Sequence, residues 1–300
     1  MALRLKNPHP RDDRIVFDEG PHTYSVDQGP TDEYTSTTTL IHKYFDNFDP
    51  VKMSVMCSKN SKSTKYYGRD PEEIQKEWAK TGTDASASGT LMHANIEKYY
   101  NGEEHETESD EWKLFWEFHK TIIEGSELTS YRTEWEIFHE KYKIAGSIDM
   151  LYQKPNGALV IYDWKRSKEI KRSAFRSTDV GKEPLSSMPN CNFSHYSLQL
   201  NIYKYILEDV YNQKIDDMYL VILHPNQASY MRLRVPDLQN DVQLLLQHFI
   251  GEYIPMKTEE EVFEGIHGLK PLKRKRRQDP RKTIRPSPTQ STFTGIKGLK

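Results

Sequence analysis

The stretch GSIDMLYQKPNGALVIYDWKRSK, residues 146–168, constrains the fold more than any other part of the chain. Two apolar runs flank Pro155-Asn156-Gly157, a turn sequence that joins antiparallel strands. Asp149 interrupts the first run, and Asp163 and Lys165 interrupt the second. Strand period places Ile161, Asp163 and Lys165 on one face, with Val160, Tyr162 and Trp164 on the other. Asp149 lies on the neighbouring strand, roughly 5 Å away, so all three charges can converge on one spot. Either the strands are exposed there or the charges do chemistry. A hard divalent cation takes one or two protein carboxylates plus water, and a lysine beside it can hold a water or stabilise charge developing on a phosphate. An Asp–Lys ladder on a solvated edge strand has the same sequence, so the neighbours must decide.

Three further groups bear on that choice. Glu134 and Glu136 share one parity on the strand before Asp149, where either adds a carboxylate or a solvated strand face. His93 follows Gly89-Thr90 on a helical pattern with Glu97 one turn on, as a ligand or as a packing residue. Gln199 and Tyr203 stand at i and i+4 on one face with Tyr196, which is equally the pattern of amphipathic packing.

The rest of the chain supplies a scaffold. Residues 14–26 read as a short hairpin turning at Gly20-Pro21, and 35–45 as a helix entered through Ser/Thr caps. Helices are expected at 71–80, 85–102, 110–123, 195–211 and 237–254, the second stopping at Asn101-Gly102. Strands are expected at 130–140, 142–152, 158–165, 218–225 and 229–235. This order predicts an α/β or α+β fold, a central mixed sheet flanked by helices. With 36% hydrophobic and 29% charged residues, the 300-residue chain can bury a sizeable core, and no apolar run suits a transmembrane helix. The N-terminal residues lack the apolar core of a signal peptide. Cys57 and Cys191 cannot hold a zinc or iron–sulfur site alone, and a reducing compartment is expected.

The ordered set Gly89-Thr90-x-x-His93, Glu134, Gly146-x-x-Asp149, Asp163-x-Lys165 and Gln199-x-x-x-Tyr203 resembles the PD-(D/E)XK nuclease superfamily. It is most similar to the RecB-type exonuclease branch, with its lambda-exonuclease-like, mitochondrial genome maintenance and CRISPR-associated members. TSTTTLIHKYF and LVILHP also resemble segments of such nucleases from large DNA viruses. The resemblance covers residues 85 to about 210 and implies a restriction-endonuclease-like core. It implies a Mg²⁺- or Mn²⁺-dependent DNA exonuclease serving replication, recombination or repair, with His93, Asp149 and Asp163 as metal ligands. Lys165 would position or activate the attacking water, Glu134 would act near the metal, and Gln199, Tyr203 and Tyr196 would line the site or touch DNA. Lys168 belongs to a local basic track, with Arg166, Lys171, Arg172 and Arg176. The family's name-giving proline is replaced by Ile148, and the cysteines that hold an iron–sulfur cluster in some members are missing, so no cluster is expected. A nuclease fold that binds nucleic acid without turnover, and a structure-specific endonuclease, are the rival readings.

Charge divides the chain. Residues 268–300 carry 11 Lys/Arg against one acidic residue, Asp279, while residues 1–267 have a net charge of −12. One nuclease domain over 1–267, helical at its N-terminal side, and a basic tail disordered when free are therefore expected. The run Lys273–Arg277, KRKRR, fits a nuclear-import signal or a phosphate-binding arm, which predicts a nuclear location, otherwise a cytoplasmic one. Ring-like oligomers occur among lambda-like relatives, so self-assembly is a further expectation.

Overall fold

The computed structural model describes residues 2–31 and 33–252; the basic tail and its KRKRR run lie outside the described residues. In chain order the elements are α1 (Leu3–Lys6), β1 (Ile15–Asp18), β2 (Thr23–Val26), β3 (Thr35–Ser36), α2 (Thr37–Lys43), α3 (Pro50–Lys59), α4 (Pro71–Asn101) and α5 (Asp110–Phe118). Then follow β4 (Thr129–His139), β5 (Ile144–Gln153), β6 (Leu159–Lys165), α6 (Asn192–Val210), β7 (Ile215–Ile222), β8 (Met231–Arg234) and α7 (Gln239–Phe249). The Pro155-Asn156-Gly157 turn joins β5 and β6 at the centre of a six-stranded mixed sheet, with Gly157 at φ 85°, a conformation open to a residue without Cβ. β1 and β2 form a separate hairpin.

Most elements start and stop where local chemistry directs. The Ser36 side chain accepts from Thr39 N–H at the start of α2, and Ser109 accepts from Trp112 N–H at the start of α5. Gly102, at φ 73°, ends α4 by donating its N–H to the carbonyls of Lys98 and Tyr99. Two expectations are corrected. The helices expected at 71–80 and 85–102 are one 31-residue helix, α4, and residues 50–59 form α3, a helix the sequence pattern did not suggest. No cap or proline separates the two halves of α4; Thr81 and Thr83 instead donate their hydroxyls to the carbonyls of Glu77 and Ala79, one turn back.

Alternate residues of β6 serve two cores. Leu159 and Ile161 pack with Leu198, Ile202 and Leu246 of the α6–α7 side. Val160, Tyr162 and Trp164 pack with Met92 and Ile96 of α4 and with Phe115 and Phe118 of α5. Helices thus cover both faces of the sheet, and a one-residue slip of β6 would carry Asp163 and Lys165 into the wrong core. Among the described residues no helix is long and apolar enough to cross a membrane.

One edge of β5 is shared between two partners, and this fixes the site. β6 pairs antiparallel with β5 from Gln153↔Leu159 to Met150↔Tyr162 and no further. β3 pairs in parallel with the same strand only at Ile144 and Ala145. Between them β5 runs unpaired on that edge from Gly146 to Asp149, while β6 continues along β7 as far as Lys165↔Ile222. The two central strands therefore fork immediately beyond Met150 and Tyr162, with one aspartate on each prong.

Candidate active site

At the fork a side chain takes over from the ladder. The Trp164 N–H donates to Asp149 Oδ2 at 2.7 Å, so the carboxylate satisfies a backbone donor left without a carbonyl partner on β5. Thr133 Oγ1 donates to the Asp149 carbonyl at 2.8 Å and ties the prong to β4. Asp149 and Asp163 are both buried, at 8% and 1% exposure. Burial pushes the carboxyls of both upward against the opposing pull of nearby cations: first His93 for Asp149, first Lys165 for Asp163.

Glu134 lies opposite Asp149, between the pairs Thr133↔Met150 and Trp135↔Ile148. Its φ of 42° is a left-handed conformation that a glutamate rarely adopts. The strained residue holds Oε2 as acceptor from Ser147 Oγ at 3.0 Å and sets Oε1 3.6 Å from His93 Nδ1. That same Nδ1 is 3.5 Å from Asp149 Oδ2. His93 is carried by the buried C-terminal half of α4, whose Met92 and Ile96 anchor it in the core. Burial alone would lower its pKa, but Asp149 and Glu134 outweigh that and raise it to about 9.

His93, Glu134 and Asp149 each offer a ligand atom within 4.8 Å of the others. Asp163 is not part of that group of three; its Oδ2 turns to Lys165 Nζ at 2.7 Å, while Oδ1 is buried without a hydrogen-bond partner. One imidazole nitrogen, carboxylate oxygens and an orphaned buried oxygen form a donor set suited to a hard divalent cation, so these residues fit such an ion. Lys165 continues the constellation onto α6. Its Nζ donates to Gln199 Oε1 at 3.3 Å and sits 4.9 Å from the Tyr196 ring centroid, and Gln199 Nε2 donates to Tyr203 OH at 3.0 Å. Burial alone would lower the Lys165 pKa; Asp163 and Asp149 reverse that and raise it, so the side chain is held as an ammonium.

Tyr203 explains Gly146. A Cβ at that position would meet Tyr203 Cε1 at 2.5 Å and its hydroxyl at 3.0 Å, so only glycine lets β5 pass beneath the ring. The fork thus brings together His93, Glu134, Asp149, Asp163, Lys165, Tyr196, Gln199 and Tyr203. Lys168 stands apart, exposed in the loop after β6, with no hydrogen bond or ion pair to the others among the described residues. The sequence did not single out Thr133 or Ser147, whose hydroxyls hold Asp149 and Glu134; small polar residues beside strand carboxylates were the available signal. His93 and Glu134 open onto a cleft of about 640 Å³ also lined by Glu97, Glu136, Thr90 and Ser147. Burial pushes the carboxyls of Glu97 and Glu136 upward.

The family model of the PD-(D/E)XK nuclease superfamily matches residues 113–285, more than half of the chain. The chain belongs to that superfamily. The matched region contains Glu134, Asp149, Asp163, Lys165 and Gln199, whereas His93 lies upstream of it and joins the site through the fold. No curated protein matches the chain by sequence. Among solved structures, SSO0001 shares 14% identity over 74% of this chain and 77% of its own, with a TM-score of 0.33. A protein from Eubacterium rectale, described as a candidate exonuclease, shares 11% over 79% of this chain and 94% of its own, also at 0.33. Overlaps this low leave the family resting on the sequence match.

Proposed function

We propose that this chain is a Mg²⁺- or Mn²⁺-dependent deoxyribonuclease of the RecB-type branch, acting as an exonuclease on DNA. The observation that carries the reading is the fork itself. It sets an ammonium held by a buried carboxylate beside a His-Glu-Asp group, at a break between the two central strands. His93, Glu134 and Asp149 would hold the cation, with the free Oδ1 of Asp163 a further donor. When bound, the ion supplies Lewis-acid stabilisation of phosphate charge and lowers the pKa of a water.

The protein's own groups divide the remaining work. Lys165, charged and fixed by Asp163 and Gln199, is suited to hold a water or to neutralise charge on a phosphate oxygen, not to remove a proton. Gln199 and Tyr203 keep Lys165 from swinging out of the fork, and Tyr196 covers it. Asp149 stays aimed because its other bond is to backbone. Lys168, on the rim, would meet the DNA backbone.

The test is cleavage of end-labelled linear DNA by purified protein with MgCl₂ or MnCl₂, beside closed circular single-stranded and duplex DNA. Linear substrate shortening from an end while circles survive is expected. Cutting of circles would make the protein an endonuclease. DNA binding without cleavage, or Asp163→Ala cutting as fast as the parent, would overturn the reading.

A further inference from the structure

Residues 50–102 carry a feature that the fork does not use. From Pro50 to Arg69 the chain has five cations, Lys52, Lys59, Lys62, Lys65 and Arg69, and no acidic residue, within a body whose overall charge is strongly negative. These residues form α3 and the loop to α4, and they fold back on α4 as an arm with its own bonds. Gln75 Nε2 donates to Ser54 Oγ, Ser58 Oγ donates to the Arg69 carbonyl, and the Trp78 ring meets Phe48 and Tyr66 edge-on. Lys65 and Arg69 are both paired with Glu77, at 2.7 and 2.8 Å. Lys59 and Lys62 are exposed, and no ion pair holds either among the described residues.

α4 connects this loop to the active site as one continuous helix. Pro71 begins the helix and His93 sits 22 residues along it, a span of roughly 33 Å at 1.5 Å per residue. At about 3.4 Å per base pair, that is the length of about ten base pairs of duplex.

We propose that the loop at the α3–α4 junction, through Lys59 and Lys62, grips the phosphodiester backbone of duplex DNA about one helical turn from the scissile bond. The inference rests on the nuclease reading and names the element that holds its substrate. Charge complementarity selects the occupant, since duplex DNA carries one charge per about 1.7 Å of axis. Stiffness selects the duplex. Its persistence length is about 150 base pairs, so a contact this far from the fork still sets the position of the cut end. Phe48 and Tyr67 are exposed beside the loop and offer faces on which single-stranded bases could stack, so a single strand is a separate arm of the test.

The test uses the full-length chain in EDTA, where nothing is cut, and fluorescence anisotropy with three labelled DNAs. These are a duplex of about 30 base pairs, one of about 8, too short to reach from fork to loop, and a single strand of about 30 nucleotides. The double variant Lys59→Glu/Lys62→Glu should bind the long duplex at least about tenfold more weakly, with the slope of log K against log salt reduced by about 2. Affinity for the short duplex should change less than about twofold, and Lys59→Arg/Lys62→Arg should restore long-duplex binding. Unchanged affinity and slope on the long duplex would overturn the proposal, as would failure of the parent to bind it; an equal or larger loss on the single strand would overturn the choice of duplex. Parallel cleavage assays of the parent keep the two readings apart. An inactive parent whose duplex binding still depends on Lys59 and Lys62 would sink the nuclease reading and leave the arm. An active parent with no such dependence would do the reverse.

Discussion

The two halves of α4 belong to one unbroken helix under opposite constraints. Towards its C-terminal end Met92, Ile96, Tyr99 and Tyr100 pack into the core beside the sheet, and His93 lies within ion-pair distance of two carboxylates. From Ala79 to Ala87 every residue is exposed, and a Cβ built at Gly82 would touch nothing. The helix is therefore packed around His93 at one end and a strut further along. Where packing decides, small changes should be costly and chemically specific; where only helix propensity decides, they should be mild and can even be favourable.

The largest effect is expected at the packed end. Lys165→Met keeps the stem that lies against Tyr196 but removes the charge facing Asp163. If Lys165 supplies electrostatic stabilisation, kcat on linear DNA should fall by about 10²–10³-fold with circular dichroism unchanged. A loss below about tenfold would take Lys165 out of the chemistry and reduce it to a partner for a buried carboxylate.

Next in size is Gly146→Ala. The added methyl must displace the Tyr203 ring, a fully buried group bonded to Gln199, and overpacking of this kind costs roughly 1–3 kcal/mol. A thermal melt should show a clear drop in Tm, and the same variant should lose activity because Gln199 no longer steadies Lys165. A melt identical to the parent's would mean that the ring has room to move and that the close approach at β5 is not a constraint.

The hairpin shows why so much of this was legible in the sequence. Strand parity and the Pro-Asn-Gly turn are local rules, and they bring Asp149 level with Asp163 and place Lys165 on the same face. Of the two glutamates, Glu134 lies beside His93, and its backbone there is at φ 42°, which no side-chain pattern reveals. The fork itself is not a local feature: it lies between the end of the β5–β6 ladder and the edge that Thr35 and Ser36, more than 100 residues away in sequence, take at Ile144 and Ala145. α3 escaped notice for another reason: it packs chiefly on α4 and buries only Ser54 fully, so no broad apolar stripe marks it.

A smaller effect follows from charge. His93 has a raised pKa, about 9 against an ordinary 6.5, because its protonated form is paired with Asp149 and Glu134. In metal-free protein that contribution to stability is fully present below pH 6.5 and is lost as pH rises through about 9. Divalent metal needs the neutral imidazole, so its affinity should rise across the same window, with about one proton released per ion near neutral pH. Melts from pH 6 to 9.5 should slope downward without metal, flatten with MnCl₂, and in metal-free His93→Gln lose the slope above about pH 7, the raised carboxyl of Asp163 keeping the slope below it. Calorimetric titrations in buffers of different ionisation enthalpy count the proton. A metal-free Tm that climbs with pH over this range would contradict the pairing.

The smallest effect lies at the strut, and it carries the sharpest contrast because the substitution is the one already made at Gly146. Gly82 is mid-helix, exposed and free of neighbours, so Gly82→Ala brings only the intrinsic gain of alanine in a helix, about 0.5–1 kcal/mol. The sign should therefore invert: alanine destabilises at 146 and stabilises at 82. Because the arm's contacts are mostly its own, the gain should be local, read as slower amide exchange from Ala79 to Ser86 with little change in global Tm. Slower exchange throughout the sheet would mean instead that the two halves of α4 unfold together, and that the arm is coupled to the fork more tightly than its contacts imply.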